Sequence, residues 1–412
     1  MTYDSKRLLL VTHVSLRLDG DRLLIDDQTA AGLRQWCRHF DAVTYYGVEA
    51  DADDSSVTWV DVSDRPFGDR CELHALPRAY KPQQMARSYR QTRATLARAI
   101  ASHHYLCFTI GGLVGDWPAV AALEASRQGR PYAAWLDRVE PAIIRQSLGN
   151  ASLKRRLGAS ATLPLMERYH RHLLKRSRVA LLQGGDTFEH YRPWNENSHC
   201  IYDTHTTADD QIGPAQLEQK RQRVRSEQPL AIIYVGRAAE MKGPDDWLDV
   251  LEGLARQNVP FQARWIGDGP ALADMRHRVD GGPLRDRVQL TGFEGDRDAV
   301  FAALRASDIV LYCHKTPESP RSLIEALVAG CPIVGYETAY PRELTRLRGG
   351  GAFAPQDDVE GLVATIARLH RDRALLERLV TAAAASGSTY DEDTVYAARA
   401  ALMQQAGSAP RQ

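Results

Sequence analysis

The chain has 412 residues, of which 44% are hydrophobic and 25% are charged, as is ordinary for a soluble globular protein. Its length predicts two domains rather than a single core. Lysine plus arginine and aspartate plus glutamate balance at 52 each, so the net charge gives no reason to expect nucleic acid as a partner.

The cysteines and the amino terminus bear on the compartment. Six cysteines are scattered without a CxxC pair, which predicts reduced thiols in a cytosolic protein. Residues 1–6 are polar and the next apolar run is only LLLV, so we expect neither a signal peptide nor a transmembrane span. The expected location is cytoplasmic.

Strands and helices alternate through residues 1–207. An apolar run at 7–14 predicts a buried strand, followed by a long polar loop over SLRLDGDRLLIDD. Later strands are predicted at AVTYYGV, VTWVDV, YLCFTI, PYAAWLD, RVALLQGG and HCIYDTHT, and helices at 29–39, 81–102 and 117–128. The alternation predicts a doubly wound α/β domain. Gly111-Gly112, after YLCFTI, marks either a backbone approach to a ligand or a plain turn.

Residues 145–178 carry nine lysines and arginines against one acid, Glu167. Within them, LKRRL and LPLMERYHRHLLKRSR predict basic amphipathic helices. Lys154, Arg155 and Arg156 are candidates for contact with an anionic membrane surface or an anionic acceptor. The alternative is a solvated basic face that packs through its leucines.

A second alternation begins at Leu230, after a polar stretch at 208–228 that predicts an interdomain linker with some helix. Its strands are predicted at LAIIYVG, FQARWIG, VQLTGF, DIVLYCH, PIVGYE and GAFAP. Its helices are predicted near 244–256, 270–279, 296–306, 320–329, 341–347, 359–371 and 373–385, with a last one inside 391–404. The predicted division is 1–207, 208–228, 229–388 and 389–412.

The stretch HKTPESPRSLIEALVAGCPIVG, at 314–335, predicts a helix whose N-terminus suits a phosphate. Ser319 is a good N-cap, Pro320 then fits the first helical position, and Gly330 fits the residue after the helix. Glu325 lies about 7–8 Å along the axis, the reach from a diphosphate to a ribose. Glu318, just outside the helix, is placed to hold a sugar; a solvated pair of glutamates is the alternative.

Three further strand ends carry candidate ligand groups. Arg237 and Lys242, after Gly236, leave one strand end five positions apart, and two cations there can clamp a diphosphate. IGDGP at 266–270 is a turn that opens a helix, and LTGF at 290–293 exposes backbone groups to a base. Taken singly, each also fits an ordinary surface turn.

In order and spacing, these motifs resemble the second domain of retaining glycosyltransferases of the GT-B fold, in family 4. The resemblance covers roughly residues 230–385. It rests on Gly236-Arg237, Lys242-Gly243, GDGP at 267–270, VQLTG at 288–292, Glu325-Ala326 with Gly330 and PIV at 332–334, and Arg342-Glu343-Leu344. It implies two doubly wound Rossmann-like domains facing across a cleft, with a C-terminal helix that crosses back to the first domain.

The resemblance implies roles for individual residues. Arg237 and Lys242 would bind the donor diphosphate and stabilise the leaving charge, Glu325 would accept the ribose hydroxyls, and Glu318 would hold the transferred sugar. The spacing of the two glutamates is one residue shorter than in the family, so Glu318 would reach the sugar from a shifted loop. The other donor-site candidates are Gly236, Gly267, Leu290, Phe293, Ser319, Arg321, Ser322 and Leu323.

The implied reaction transfers a hexosyl group from a nucleotide sugar to a glycan or lipid-linked acceptor with retention; a UDP-sugar is favoured, and a GDP-sugar is the alternative. No essential metal and no other cofactor are expected. His13 and Asp137 are first-domain candidates for completing the catalytic site, with Glu140 beside them. The setting implied is polysaccharide or glycolipid biosynthesis, with peripheral contact at the cytoplasmic face of a membrane. The alternatives are a sugar-nucleotide 2-epimerase of the same fold and an inactive, transferase-like scaffold.

Overall fold

The computed structural model describes residues 6–20, 22–50, 58–64, 67–146, 148, 152–226, 228–316 and 318–408, with the backbone alone at 146, 153–155 and 408. The chain folds as two compact units. The first comprises Met1–Ile201 with Val395–Gln412, and the second comprises Tyr202–Thr394. The division therefore falls at 201/202, rather than at a linker over 208–228.

The first unit is built on a sheet whose described strands are β1 (Arg7–Asp19), β2 (Arg22–Asp26), β3 (Ala42–Glu49), β4 (Trp59–Asp61), β5 (Cys71–Leu76), β6 (Tyr105–Thr109), β7 (Ala133–Leu136), β8 (Val179–Gln183) and β9 (Ser198–Ile201). Seven of them run parallel in the order β5-β3-β1-β6-β7-β8-β9. β2 pairs antiparallel with the end of β1, and β4 pairs antiparallel with β2.

The helices of this unit connect the parallel strands. They are α1 (Asp27–His39), α2 (Pro82–Ser102), α3 (Trp117–Arg127), α4 (Glu140–Gln146), α5 (Leu153–Arg176) and α6 (Gly184–Tyr191). Helices between parallel strands cover both sheet faces, which explains why strand runs such as LLLV are wholly buried. The doubly wound α/β prediction for this part of the chain is confirmed.

The second unit repeats the plan with six described parallel strands, β10 (Leu230–Val235), β11 (Phe261–Ile266), β12 (Val288–Gly292), β13 (Ile309–Tyr312), β14 (Ile333–Tyr336) and β15 (Gly351–Ala354). Their order is β12-β11-β10-β13-β14-β15. The helices are α7 (Pro214–Arg225), α8 (Pro244–Arg256), α9 (Leu272–Asp280), α10 (Arg297–Ala306), α11 (Arg321–Val328), α12 (Ala339–Thr345), α13 (Val359–Arg371) and α14 (Arg373–Gly387).

The last helix, α15 (Glu392–Ser408), begins in the second unit and packs on α1 of the first. The ring centroids of Tyr396 and Trp36 lie 5.0 Å apart, edge to face. The side-chain amide of Gln404 donates a 3.0 Å hydrogen bond to the carbonyl oxygen of His39. The predicted return of the C-terminal helix to the first domain is confirmed.

One prediction of local structure was wrong, one strand was missed, and the predicted linker packs within the second unit. The segment predicted as a long loop after residue 14 continues β1 to Asp19 and turns back as β2. β5 was not predicted. The segment predicted as a linker contains α7, whose buried Lys220 donates 3.2 Å hydrogen bonds to the carbonyl oxygens of Leu304 and Ala329. That residue therefore ties α7 into the second unit.

Candidate active site

The strand order of the second sheet indicates where a ligand would bind. β11 and β12 lie on one side of β10, and β14 and β15 continue from β13 on the other. Ligands of such sheets bind outside the carboxyl ends of the strands where the order reverses, here between β10 and β13. The segments that leave these two strand ends carry Arg237, Lys242, His314 and Glu318.

A cavity of about 750 Å³ lies among the ends of β10, β11 and β12. Gly236, Arg237, Gly267 and Phe293 line it, so four predicted donor-site residues share one cavity. Phe293 is 80% exposed there. Leu290 was also predicted to border the nucleobase. Its side chain packs instead against the hydrophobic core of the second unit, because alternate residues of a strand face opposite sides of the sheet.

Glycine is required where these strand ends meet. Gly267 has a φ of 146°, and a Cβ on it would lie 2.0 Å from the carbonyl oxygen of Gly236. The amide of Gly236 donates to the carbonyl of Ile266 at 2.9 Å, and that of Gly267 to the carbonyl of Gly292 at 2.7 Å. The cavity therefore has a hydrogen-bonded floor that only glycine can form.

Lys242 and Glu318 form an ion pair. Lys242 ends a single 3-10 turn, Glu240–Lys242, and Glu318 lies in the loop before α11. Their side chains are only 17% and 19% exposed. The sequence had assigned them to different parts of a donor, whereas the structure places them in contact. A phosphate that binds Lys242 must therefore compete with Glu318 or share the cation.

His314 was not predicted as part of the site. It is fully buried, its Nδ1 lies 3.2 Å from Glu318 Oε2, and its Nε2 lies 2.6 Å from the hydroxyl of Tyr234. Burial lowers the pKa of His314 to about 4, although Glu318 acts to raise it. Burial also acts to raise the pKa of Glu318, but its contacts with His314 and Lys242 outweigh that and lower it. Near neutral pH the imidazole is thus neutral and the carboxylate ionised.

This arrangement predicts acid sensitivity. Between pH 6.5, the ordinary pKa of histidine, and about 4, the unfolded chain protonates this imidazole while the folded chain does not, so stability falls as pH falls. Glu318, with a lowered pKa, contributes in the same direction below 4.5. We expect His314→Gln to flatten the curve of unfolding free energy against pH over this window, measured by urea denaturation. A slope identical to that of the wild type would contradict the assignment.

Helix α11 begins one residue later than predicted. Pro320 is its N-cap, without a side-chain hydrogen bond, so Ser319 does not cap the helix. Ser322 and Leu323 fall in its first turn, where backbone N–H groups lack intrahelical acceptors; the side chain of Leu323 is buried. Arg321 is the first helical residue and is partly buried. The helix N-terminus proposed for a phosphate is thus present three residues after Glu318.

The end of α11 matches the prediction. Gly330 has a φ of 63°, its amide donates to the carbonyl of Leu327, and the amide of Cys331 donates to that of Ala326. These are the bonds of a Schellman motif. We expect Gly330→Ala to lower the unfolding free energy by about 1–2 kcal/mol, the cost of a left-handed backbone for an L-residue. Chemical denaturation measures this; Gly281→Ala, at a negative φ, is the control, and equal stabilities would contradict the strain.

Glu325 lies in the middle of α11 and is 23% exposed. Burial raises its pKa, although Arg297 and Arg321 act to lower it. The guanidinium of Arg297 lies 3.9 Å from Glu325 and 2.8 Å from Asp210, so it was a missed neighbour of the site. Nothing in the sequence pattern linked Arg297 to this glutamate, because α10 reaches α11 only through the tertiary fold.

The first unit has its own cavity, of about 410 Å³, lined by His13, Gly111, Gly112, Asp137 and Glu140 among others. The structure therefore brings together His13, Asp137 and Glu140, the three residues that the sequence analysis offered for completing the catalytic site. His13 lies inside β1, where the pairing with β3 changes register. Asp137 directly follows β7, and Glu140 opens α4.

Asp116 completes this cavity and was not predicted. It accepts backbone hydrogen bonds from Gly111, Gly112 and Ala119 at 2.7–2.9 Å. Its Oδ1 lies 3.4 Å from His13 Nε2. Burial acts to lower the pKa of His13, but the carboxylates of Asp116, Asp137 and Glu140 together outweigh burial and raise it. The Gly111 and Gly112 amides serve this carboxylate, which favours the turn interpretation over direct contact with a ligand.

The basic segment forms one helix, α5, instead of two, with Pro164 inside it. The side chains of Lys154 and Arg155 lie outside the described residues, and Arg156 is exposed. Other exposed side chains of α5 include the basic Arg168, Arg171, Lys175 and Arg176 and the apolar Leu157 and Leu165, beside the polar Ser160 and Thr162. No helix in the described part of the chain is long and apolar enough to span a membrane. Nor do the described residues group three or more side chains suited to a metal ion.

The whole fold is that of GT-B glycosyltransferases, as predicted. HepE from Anabaena, in its crystal structure with UDP, matches over 97% of this chain and 100% of its own, with a TM-score of 0.64 at 15% identity. At that identity the match shows the fold alone.

Residues 215–386 match the model of the family described as glycosyl transferases group 1. The amylovoran biosynthesis glycosyltransferase AmsK of Erwinia amylovora is 29% identical over 184 residues, 43% of this chain and 45% of AmsK. The putative colanic acid biosynthesis glycosyltransferase WcaL of Salmonella typhimurium is 30% identical over 162 residues, 38% of this chain and 40% of WcaL. The matched stretches thus span less than half of these relatives.

Proposed function

We propose that this protein is a retaining glycosyltransferase that moves a hexosyl group from a UDP-sugar to a glycan or lipid-linked acceptor. One observation carries the proposal: the segments leaving β10 and β13 meet at the switch point, pairing Lys242 with Glu318 just before the N-terminus of α11. Arg237 lines the adjoining cavity. Cations and a helix N-terminus together suit a diphosphate.

The donor is arranged around this point. The nucleobase occupies the cavity beside Phe293, an aromatic face exposed for stacking. Glu325 accepts the ribose hydroxyls from the middle of α11. Arg237, Lys242 and the amides near Ser322 hold the diphosphate. Glu318, freed from Lys242 by the phosphates, holds a hydroxyl of the transferred sugar.

The chemical step needs no side-chain base. The acceptor oxygen bonds to the anomeric carbon on the face from which the phosphate leaves, as the bond from that carbon to the β-phosphate oxygen breaks. The electron pair stays on the phosphate, whose departing oxygen takes the acceptor proton. Arg237 and Lys242 stabilise the charge that develops there, and such preorganised charge is usually the largest catalytic contribution. The proposed reaction requires no essential metal and no further cofactor.

The names of the relatives support the setting. AmsK and WcaL are named for amylovoran and colanic acid biosynthesis, which favours polysaccharide or glycolipid biosynthesis for this chain. HepE was solved with UDP, which favours UDP over GDP.

In this proposal the acceptor binds to the first unit. His13 and Asp137 line its cavity and offer a hydrogen-bond donor and an acceptor to sugar hydroxyls. The exposed basic and apolar side chains of α5, Arg156 among them, give that unit a face for an anionic membrane or a lipid-linked anion. The protein would then act in the cytoplasm, peripherally at the membrane.

The test is turnover with a panel of UDP- and GDP-sugars and with oligosaccharide acceptors, in EDTA and in magnesium. We expect UDP release that requires an acceptor and persists in EDTA, and a product whose anomeric configuration by NMR equals that of the donor. UDP release without acceptor and with an epimerised sugar would instead identify a 2-epimerase. The absence of turnover, with UDP still bound, would identify a scaffold.

A further inference from the structure

His314 occupies an unusual position for a buried polar side chain. Its side chain is fully buried directly after β13, between the hydroxyl of Tyr234 and the carboxylate of Glu318. Nδ1 faces Glu318 Oε2 at 3.2 Å, within hydrogen-bond distance but not aligned for a hydrogen bond, and no other partner for Nδ1 occurs in the described part of the chain.

The partners decide where the proton of the neutral ring sits. A carboxylate can only accept a hydrogen bond, whereas a tyrosine hydroxyl can donate or accept one. A proton on Nδ1 satisfies Glu318 and leaves Nε2 as an acceptor for the Tyr234 hydroxyl. The opposite tautomer would point a lone pair at the carboxylate, so the environment selects the Nδ1–H form.

The ring is also fixed in place. The side-chain amide of Gln356 donates to the carbonyl oxygen of His314 at 3.1 Å. The ring of Tyr312 lies 4.3 Å away between centroids, and that of Tyr234 lies 5.7 Å away. Tyr234 in turn is crowded by Gly236, where a Cβ would lie 2.8 Å from the phenol oxygen. Any larger residue at 236 would displace the hydroxyl that meets Nε2.

We infer that His314 is a positioning residue for Glu318, acting through its Nδ1–H, and that the Glu318 carboxylate selects this tautomer while the Tyr234 hydroxyl meets Nε2. The inference rests on the proposed function, in which Glu318 leaves Lys242 and turns to the sugar. His314 keeps the carboxylate at the site during that exchange. It touches no reacting atom itself.

Two substitutions of His314 test the contacts of its two ring nitrogens separately. Asparagine carries its amide nitrogen where histidine has Nδ1, and glutamine reaches the position of Nε2. We expect His314→Asn to keep kcat within about threefold of the wild type. Loss of a hydrogen bond to a charged group predicts that His314→Gln lowers kcat by about tenfold to a hundredfold with little change in KM. Thermal melts check that both variants fold, and a purely structural role would make them equally active.

A second measurement is independent of turnover. Nitrogen-15 NMR of labelled histidine reports the tautomer of a neutral imidazole directly. We expect the Nδ1–H tautomer of His314 in the wild type and also in Tyr234→Phe, because the Glu318 carboxylate still faces Nδ1 in that variant. An Nε2–H tautomer in the wild type, or equal activities of His314→Asn and His314→Gln, would overturn the inference. A wild type without transferase activity but with the Nδ1–H tautomer would instead defeat the proposed function.

Discussion

Lys242→Ala should lower kcat/KM for the sugar nucleotide by about 10²–10³-fold, the usual effect of removing one preorganised group from a developing negative charge. Lys242 is shielded, at 17% exposure, and paired with Glu318, so its charge acts at a fixed place with little screening by water. Steady-state kinetics with a saturating acceptor measure the loss.

The control must remove a cation without touching the site. Arg285→Ala removes an exposed cation of the same unit, outside the segments that leave the strand ends. We expect it to keep wild-type kinetics. If Lys242→Ala and Arg285→Ala have the same kcat/KM, Lys242 does not stabilise the leaving group.

Glu325→Ala should weaken the binding of UDP by about tenfold to a hundredfold, as expected for hydrogen bonds to a charged group. The mechanism predicts more than a loss of affinity. The wild type should prefer UDP to 2′-deoxy-UDP, because the ribose hydroxyl pair binds Glu325. The variant should bind the two nucleotides about equally well, which isothermal titration calorimetry can measure.

Glu360→Ala provides the matched control, since it removes an exposed carboxylate from the first turn of α13 in the same unit. It should bind UDP as the wild type does. A Glu325→Ala variant that still discriminates between the two nucleotides would place the ribose elsewhere.

Much of the second unit could be predicted because local signals agreed with the fold. α8 and α13 have the predicted bounds: Pro244 starts α8 at its first position, Asp358 caps α13 through the amide of Gly361, and both helices carry one apolar face. In the first unit, the hairpin of β1 and β2 was missed. Gly20, with a φ of 61°, allows the turn, and the apolar residues around it were interpreted as a loop.

Some members of the candidate site could be predicted from the sequence, but their contacts could not. The motifs identified Lys242 and Glu318 separately, and only the fold of two loops brings the pair together with His314. Asp116 had a local signal, since an aspartate before Trp117-Pro118 suits an N-cap, and it does cap α3. Its contact with His13 joins residues about a hundred positions apart and has no signature in a single sequence.

The measurement that tests the central claim most directly is calorimetric titration of the wild-type chain with UDP and with GDP, in EDTA. A donor site formed by Arg237, Lys242 and Glu325 predicts saturable, one-to-one binding of UDP without metal, and weaker binding of GDP. Lys242→Ala should reduce that affinity. If neither nucleotide binds, or if Lys242→Ala binds UDP as tightly as the wild type, the switch point of the second sheet is not the donor site.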